Sequence, residues 1–445
     1  MTAPTFAVPL AARSDAVAQA GFRTVDARTV VWVEVRGGPH HGAMTSAGGR
    51  AVEAAVRRAA EVGIPFVMVL DSAGAEVTEG VAALHAWGGV ARALTRVSGV
   101  VPTIVGVTGA CVSGPALLLG IADAVVMTEQ AFAYVTGPEA VHEFTGVPIS
   151  RDDLGGAGIL EARGGIASFV VPDEDALIDA ITTLVSFLPD ESLADPPRAD
   201  VGDPIDRDCS IAASIVPDSP TAGFDVRHVL DDVLDEHSLC EVRARYAPNV
   251  VTAFGRLDGR AVGVIANQPG QRAGTLDIEA SRKAARHVSW CDAFNLPILT
   301  FVDTPGFEPG RDLEWRGMIR HGAELVHAYC EATVPRFCII MRKSFGGAYI
   351  VMDSRGIDND LCIAWPTAEI AVMGAAGAVQ ILGDKGVTEQ EYGEVFLNPY
   401  RAAERGFVDL VINPVDTRRV LGAALDQFRT KRASVRPRKH SNSPQ

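Results

Sequence analysis

"ATVPRFCIIMRKSFGGAY", residues 332–349, is an apolar, β-strand-like run that breaks into two glycines and an alanine. Gly346 and Gly347 cost conformational entropy and add no side chain. Their placement makes sense where the backbone itself is the tool. N–H groups at the start of a helix lack intrahelical acceptors and lie at its positive end. Glycine lets an anion or a carbonyl oxygen come close to them. The stretch has a counterpart, "GVVPTIVGVTGACVSGPA" at 99–116, which ends in the corner Ser113–Gly114–Pro115. "GIPFVMVLDSAGAE" (63–76) likewise pairs with "NLPILTFVDTPGFE" (295–308), and "TGPEAV" (136–141) more loosely with "MGAAGAV" (373–379). Pro65 and Pro297 are 232 residues apart, Pro102 and Pro335 are 233 apart, and Gly114 and Gly347 are 233 apart. A register held over that distance indicates two copies of one domain. The acidic, proline-rich stretch "LPDESLADPPRADVGDPIDRD" (188–208) reads as the linker, which places the domains at 1–195 and 196–445.

Each copy alternates buried strands with helices. In the first, 29–35, 66–70 and 103–107 read as strands, with helices at 47–63 and 81–97. In the second, strands at 261–266, 298–302 and 337–341 alternate with helices at 277–295 and 314–332. Strands without apolar–polar alternation, separated by helices, indicate parallel sheets covered on both faces. The expected class is α/β, two tandem domains with parallel sheets flanked by helices.

Composition narrows the function. Of 445 residues, 47% are hydrophobic and 21% charged, which is ordinary globular usage. A net charge of −15 argues against a broad nucleic-acid face. No apolar run approaches the roughly 20 residues of a membrane span, and the N-terminus lacks the pattern of a signal peptide. Seven scattered cysteines without a C-x-x-C pair argue against a disulfide framework or zinc ribbon and fit a cytoplasmic setting. The basic tail from 428 to 445 reads as a solvated segment or as a partner-docking one.

At the two corners, glycine serves either tight strand–helix packing or a pair of oxyanion holes, in which backbone N–H groups hold a carbonyl oxygen as it becomes enolate-like. Each such donor is worth roughly 100-fold in rate or more. Ser344 and Ser113 lack a G-x-S-x-G elbow. The histidines show no metal spacing, and His40–His41 reads as a polar loop. Asp71 and Asp303 end matching strands and read as caps of the turns that follow. Neither a dinucleotide fingerprint nor a Walker loop is present. Chemistry resting on backbone amides needs its base from elsewhere, and a cofactor is the natural supplier.

The stretches "GRAVGVIANQPG", "KAARHVSWCDAFNLPILTFVDTPGFEPG", "RGMIRHGAELVHAYCEATVP", "RKSFGGAYIVM" and "IAWPTAEIAVMGAAGAVQIL" resemble the carboxyltransferase β subunits of biotin-dependent acyl-CoA carboxylases, of the acetyl- and propionyl-CoA carboxylase type. "EGVAALHAWGGV", "TGPEAV" and "DDLGGA" extend the resemblance into the first half. It implies two tandem crotonase-like (ClpP/crotonase) domains, with acyl-CoA mainly on the first and biotin mainly on the second. It further implies biotin carried covalently by a biotin carboxylase or carboxyl carrier subunit, a coenzyme A thioester as substrate, and no metal. Assembly into a hexamer, or with a paralogue, is expected. By the same resemblance, Phe345, Gly346, Gly347 and Ala348 bind biotin, with Gly347 and Ala348 as the oxygen-holding amides. Ser113 and Gly114 hold the thioester oxygen through their N–H groups. Gly74, Thr136 and Gly137 border the acyl-CoA, and Ile350 borders the acyl pocket. The chain departs from the family pattern at Glu76, where an arginine is usual, and at Ser113 and Pro115, where G-G-A is usual at the corner. Decarboxylase and transcarboxylase subunits of the same family, and a non-catalytic scaffold paralogue, are the alternative readings.

Overall fold

The computed structural model describes residues 6–10, 17–38, 40–217, 219, 221–382 and 388–444. The chain divides into two compact units, Met1–Pro197 and Arg198–Gln445.

The first unit is built on one sheet. Its strands lie in the order Val8–Pro9, Ala18–Val25, Arg28–Val35, Phe66–Ser72, Thr103–Val112, Ala124–Thr128 and Phe169–Val171. Val8–Pro9 through Arg28–Val35 run antiparallel; from Arg28–Val35 onward the pairing is parallel. Helix Ser46–Val62 starts at Thr45, whose side chain accepts the Gly48 N–H, and stops at Gly63 in the left-handed conformation. Helices Ser46–Val62 and Val81–Val97 bury small and branched residues, Val52, Val56, Val90 and Leu94 among them, in the core formed with Val33, Met68 and Val105.

The second unit repeats the plan. Its order is Leu410–Val411, Leu361–Ala364, Arg336–Phe345, Ile298–Thr304, Arg260–Asn267, Val250–Leu257 and Cys240–Glu241. Asp277 caps helix Ile278–Ala293 as Thr45 caps its counterpart, accepting the Ala280 N–H. Trp365, Phe301 and Phe337 fill the core. The antiparallel hairpin at the edge of each sheet went unread in the sequence, because its strands carry no periodicity distinct from the buried parallel ones.

The strands that carry the corners are longer than the sequence indicates. Thr103–Val112 and Arg336–Phe345 each run for 10 residues. Past the sheet's centre each pairs with a second short strand, Phe132–Tyr134 or Glu369–Ala371. The register shifts there, between Leu70 and Ser72 in one copy and between Val302 and Thr304 in the other. The shift frees a backbone amide on each long strand. Asp71 takes the Ala110 N–H at 2.9 Å, and Asp303 the Lys343 N–H at 3.1 Å. These aspartates therefore tie neighbouring strands together and do not cap the turns. Ser72 and Thr304 do that, accepting from Gly74 and Gly306.

The linker-like stretch and the basic tail both bind the second unit in part. Ala199 donates to the Gly259 carbonyl, and Arg198 pairs with Asp258 at 2.7 Å. Lys431 reaches Val334 and Asp360, Ala433 bonds Thr333, and Arg438 pairs with Glu331.

Candidate active site

At the second corner, Phe345 is extended and Gly346 turns the chain at φ +63°, a conformation that favours glycine. Helix Gly346–Val351 follows with no side-chain cap. Gly347 and Ala348 thus lie in a first turn whose N–H groups have no intrahelical acceptor. Gly347 is exposed and Ala348 buried. A cavity of about 450 Å³ opens beside this turn, with Gly346, Gly347 and Ile350 on its lining. Tyr392, Phe396 and Phe407 contribute apolar surface, and Arg401 and Arg405 also line it. Phe345 itself is buried, with its ring against Gly374.

The strand behind the corner is anchored by charge. Arg342 and Asp303 form a buried ion pair at 2.9 Å, and Arg342 also donates to the Ser219 and Ala222 carbonyls. Burial raises the pKa of the Asp303 carboxyl and lowers that of the Lys343 amine.

The first corner turns at the matching residue but runs into a 3-10 turn, Gly114–Leu117, and has different chemistry. Ser113 turns the chain at φ +62°, matching Gly346. Gly114 then corresponds to Gly347, and Pro115 to Ala348. The Ser113 N–H donates to the Tyr134 carbonyl at 2.9 Å. That corrects the expectation that this amide holds the thioester oxygen: the pairing of the long strand with Phe132–Tyr134 has consumed it. Pro115 has no N–H. Gly114 is the amide this corner can offer, and it is buried, with the Trp87 indole against its Cα. Gly74 stands next to Ser113; a β-carbon on it would lie 3.5 Å from the serine's. Thr136 and Gly137 follow Tyr134 and lead into helix Pro138–Thr145. Ser113, Gly114, Gly74, Thr136 and Gly137 are therefore gathered at one corner, while Ile350 belongs to the second unit's cavity.

Glu76 does not present a free charge. Its carboxylate accepts from Thr78 N–H and Oγ1 and meets His40 Nδ1 at 2.6 Å. These bonds, with the Thr78 side chain first, hold its pKa down at about 2. Among the described residues, no group of three or more His, Cys, Asp or Glu is placed to hold a metal ion, and no helix is long and apolar enough to cross a membrane.

Sequence reasoning missed Trp87 and the cavity wall. Tyr392 and Phe396, four residues apart on helix Glu389–Phe396, carried a readable signal of one apolar face. Phe407 and Arg405 carried none, since they reach the cavity only through the tertiary fold.

Residues 12–443 match the family described as the carboxyl transferase domain. The chain belongs to that family. It is 46% identical over 400 residues to the propionyl-CoA carboxylase carboxyltransferase subunit of Haloferax mediterranei, covering 87% of this chain and 78% of that one. The propionyl-CoA carboxylase beta chain of Saccharopolyspora erythraea is 42% identical, with 95% and 82% covered. The methylmalonyl-CoA decarboxylase subunit alpha of Veillonella parvula is also 42% identical, with 87% and 77% covered. Among solved structures, the transcarboxylase 12S hexamer with hydrolysed methylmalonyl-coenzyme A superposes with a TM-score of 0.94 at 39% identity, covering 96% of this chain and 84% of that one. The crotonase-like α/β fold expected from the sequence is thereby established.

Proposed function

We propose that this chain is the carboxyltransferase subunit of a biotin-dependent acyl-CoA carboxylase, acting on acetyl-CoA or propionyl-CoA. The observation that carries the reading is the open second corner of a carboxyl transferase family member, set beside an apolar cavity of about 450 Å³. Amides at one end and aromatic walls elsewhere suit a bicyclic ureido ring, polar at its carbonyl and apolar along its body. Biotin, carried by a partner subunit, would supply the carboxyl group and the base for the α-proton of the thioester, with Gly347 and Ala348 as the residues that would hold its ureido carbonyl.

The chain's own part is electrostatic and positional. The Gly347 and Ala348 N–H groups would hold the ureido oxygen, and because the helical turn already fixes them, little reorganisation would be needed. Tyr392, Phe396 and Phe407 keep water from that oxygen, which strengthens both hydrogen bonds. Arg342 and Asp303 fix the strand that aims the amides. Gly114 donates to the thioester oxygen on the first unit.

The carboxylase relatives favour this reading over decarboxylation or transcarboxylation, which would use the same corners with a different partner. Assembly is proposed to be hexameric, as in the transcarboxylase 12S structure, with biotin carboxylase and carboxyl carrier subunits as partners. The cytoplasm suits the chain's free cysteines. The test is initial-rate carboxylation of acetyl-, propionyl- and longer acyl-CoA by the full-length chain with a biotinylated carrier. Turnover with a short acyl-CoA supports the proposal; a folded oligomer that carboxylates none of them overturns it.

A further inference from the structure

We infer that the hydroxyl of Ser113 is the second hydrogen-bond donor to the thioester oxygen, standing in for the amide that Pro115 lacks. The inference rests on the carboxyltransferase reading and assigns a side-chain role at its acyl-CoA corner.

By the internal duplication, the donor pair Gly347–Ala348 corresponds to Gly114–Pro115, so the first corner is one amide short. Ser113 cannot make up the loss with its own N–H, which donates to Tyr134. Its side chain is another matter. Ser113 sits at φ +62° and ψ −138°, where a β-carbon is strained, while the second copy uses Gly346 at the matching position. A side chain is kept where glycine would be more stable, next to the missing donor. Ser113 is exposed, and among the described residues its hydroxyl has no hydrogen-bond partner. Gly74 leaves the space alongside it clear, because a side chain there would begin 3.5 Å from the serine's β-carbon. A hydroxyl both rotates and donates, so it can follow an oxygen that gains charge as the enolate forms.

The test uses the full-length chain with a biotinylated carrier and measures kcat, KM and melting temperature for wild type, Ser113→Ala, Ser113→Gly and the double variant Ser113→Gly with Pro115→Ala. Ser113→Ala keeps the strain and removes only the hydroxyl; it lowers kcat by roughly 10- to 100-fold with little change in KM. Ser113→Gly loses the same activity yet melts higher, because the strain is gone. Adding Pro115→Ala supplies a backbone donor and restores at least about tenfold of the loss, which a purely structural serine would not allow. If the double variant does not fold, Ser113→Ala decides alone. Wild-type kcat in both single variants overturns the inference while leaving the carboxyltransferase reading intact. A wild-type chain that carboxylates no acyl-CoA overturns that reading, and this inference with it.

Discussion

The indole of Trp87 lies against the Cα of Gly114, so that a β-carbon at 114 would stand 2.4 Å from the ring's Cε2 and Nε1. Gly347, its counterpart, is open; a β-carbon there would meet the Phe307 ring at 3.4 Å, an ordinary contact. Gly114→Ala is therefore expected to destabilise the protein by about 1–3 kcal/mol through overpacking, and Gly347→Ala by less than about 1 kcal/mol. Urea unfolding checks both. Equal effects at the two corners would show that the indole does not confine Gly114.

Pro115 has a direct bearing on the second corner. The first copy forms its corner with proline in the position of Ala348, so the backbone path there accepts a proline ring. Ala348→Pro should fold and should lose a donor to the ureido oxygen. The expected fall in kcat is about 100- to 1,000-fold, with helical circular dichroism unchanged. A folded variant of undiminished kcat would remove Ala348 from the catalytic pair.

Glu76 makes the loop before helix Val81–Val97 sensitive to acid. Its pKa is about 2 against an ordinary 4.5, owing first to Thr78 and then to His40. The folded chain gives up this proton more readily than the unfolded chain does. The resulting stabilisation is complete above about pH 4.5 and is lost as pH falls towards 2. In Glu76→Gln, the melting temperature should depend less on pH across that window. Parallel curves for the two proteins would show that the carboxylate contributes nothing there.

Lys283 is buried, with its Nζ donating to the carbonyls of Tyr246 and Val250 at 2.8 and 2.7 Å and to Ala247 at 3.4 Å. Burial lowers its pKa from 10.5 to about 7. Between those values the unfolded chain holds a proton that the folded chain has released, so this group adds stability as pH rises from 7 to 10.5. Lys283→Met leaves the carbonyls unpaired and should cost about 3 kcal/mol at neutral pH. The deficit should widen by pH 9.5, as followed by denaturant unfolding. A deficit that narrows with rising pH would contradict the direction of the shift.

Much of the fold was legible because its signals are local or repeated. The apolar runs at 66–70 and 298–302 had one sensible reading as buried strands, and the glycine pair at 346–347 marked the corner. What went astray concerned hydrogen-bond partners. Asp71 looked like a turn cap, but a register shift presents it with the Ala110 amide, 39 residues away. Ser113 looked like an amide donor, but Tyr134 takes that N–H. Glu76 stood out only as a departure from the family's arginine, and nothing in the sequence signalled that Thr78 and His40 enclose its carboxylate.

By itself, the amino-acid order determined that one domain is present twice, that each copy alternates strand and helix, that each carries a sharp corner past a buried strand, and that the chain resembles carboxyltransferases. Hydrophobic periodicity and glycine placement act over a few residues, and a duplicated register shows without coordinates. Only the tertiary structure decided which corner amides remain usable, that Trp87 packs against the Cα of Gly114 at the first corner, and that Tyr392, Phe396 and Phe407 wall the second. Those outcomes depend on strand register and on side chains meeting across tens of residues, and each N–H is allotted to whichever acceptor the finished sheet brings within 3 Å or so of it.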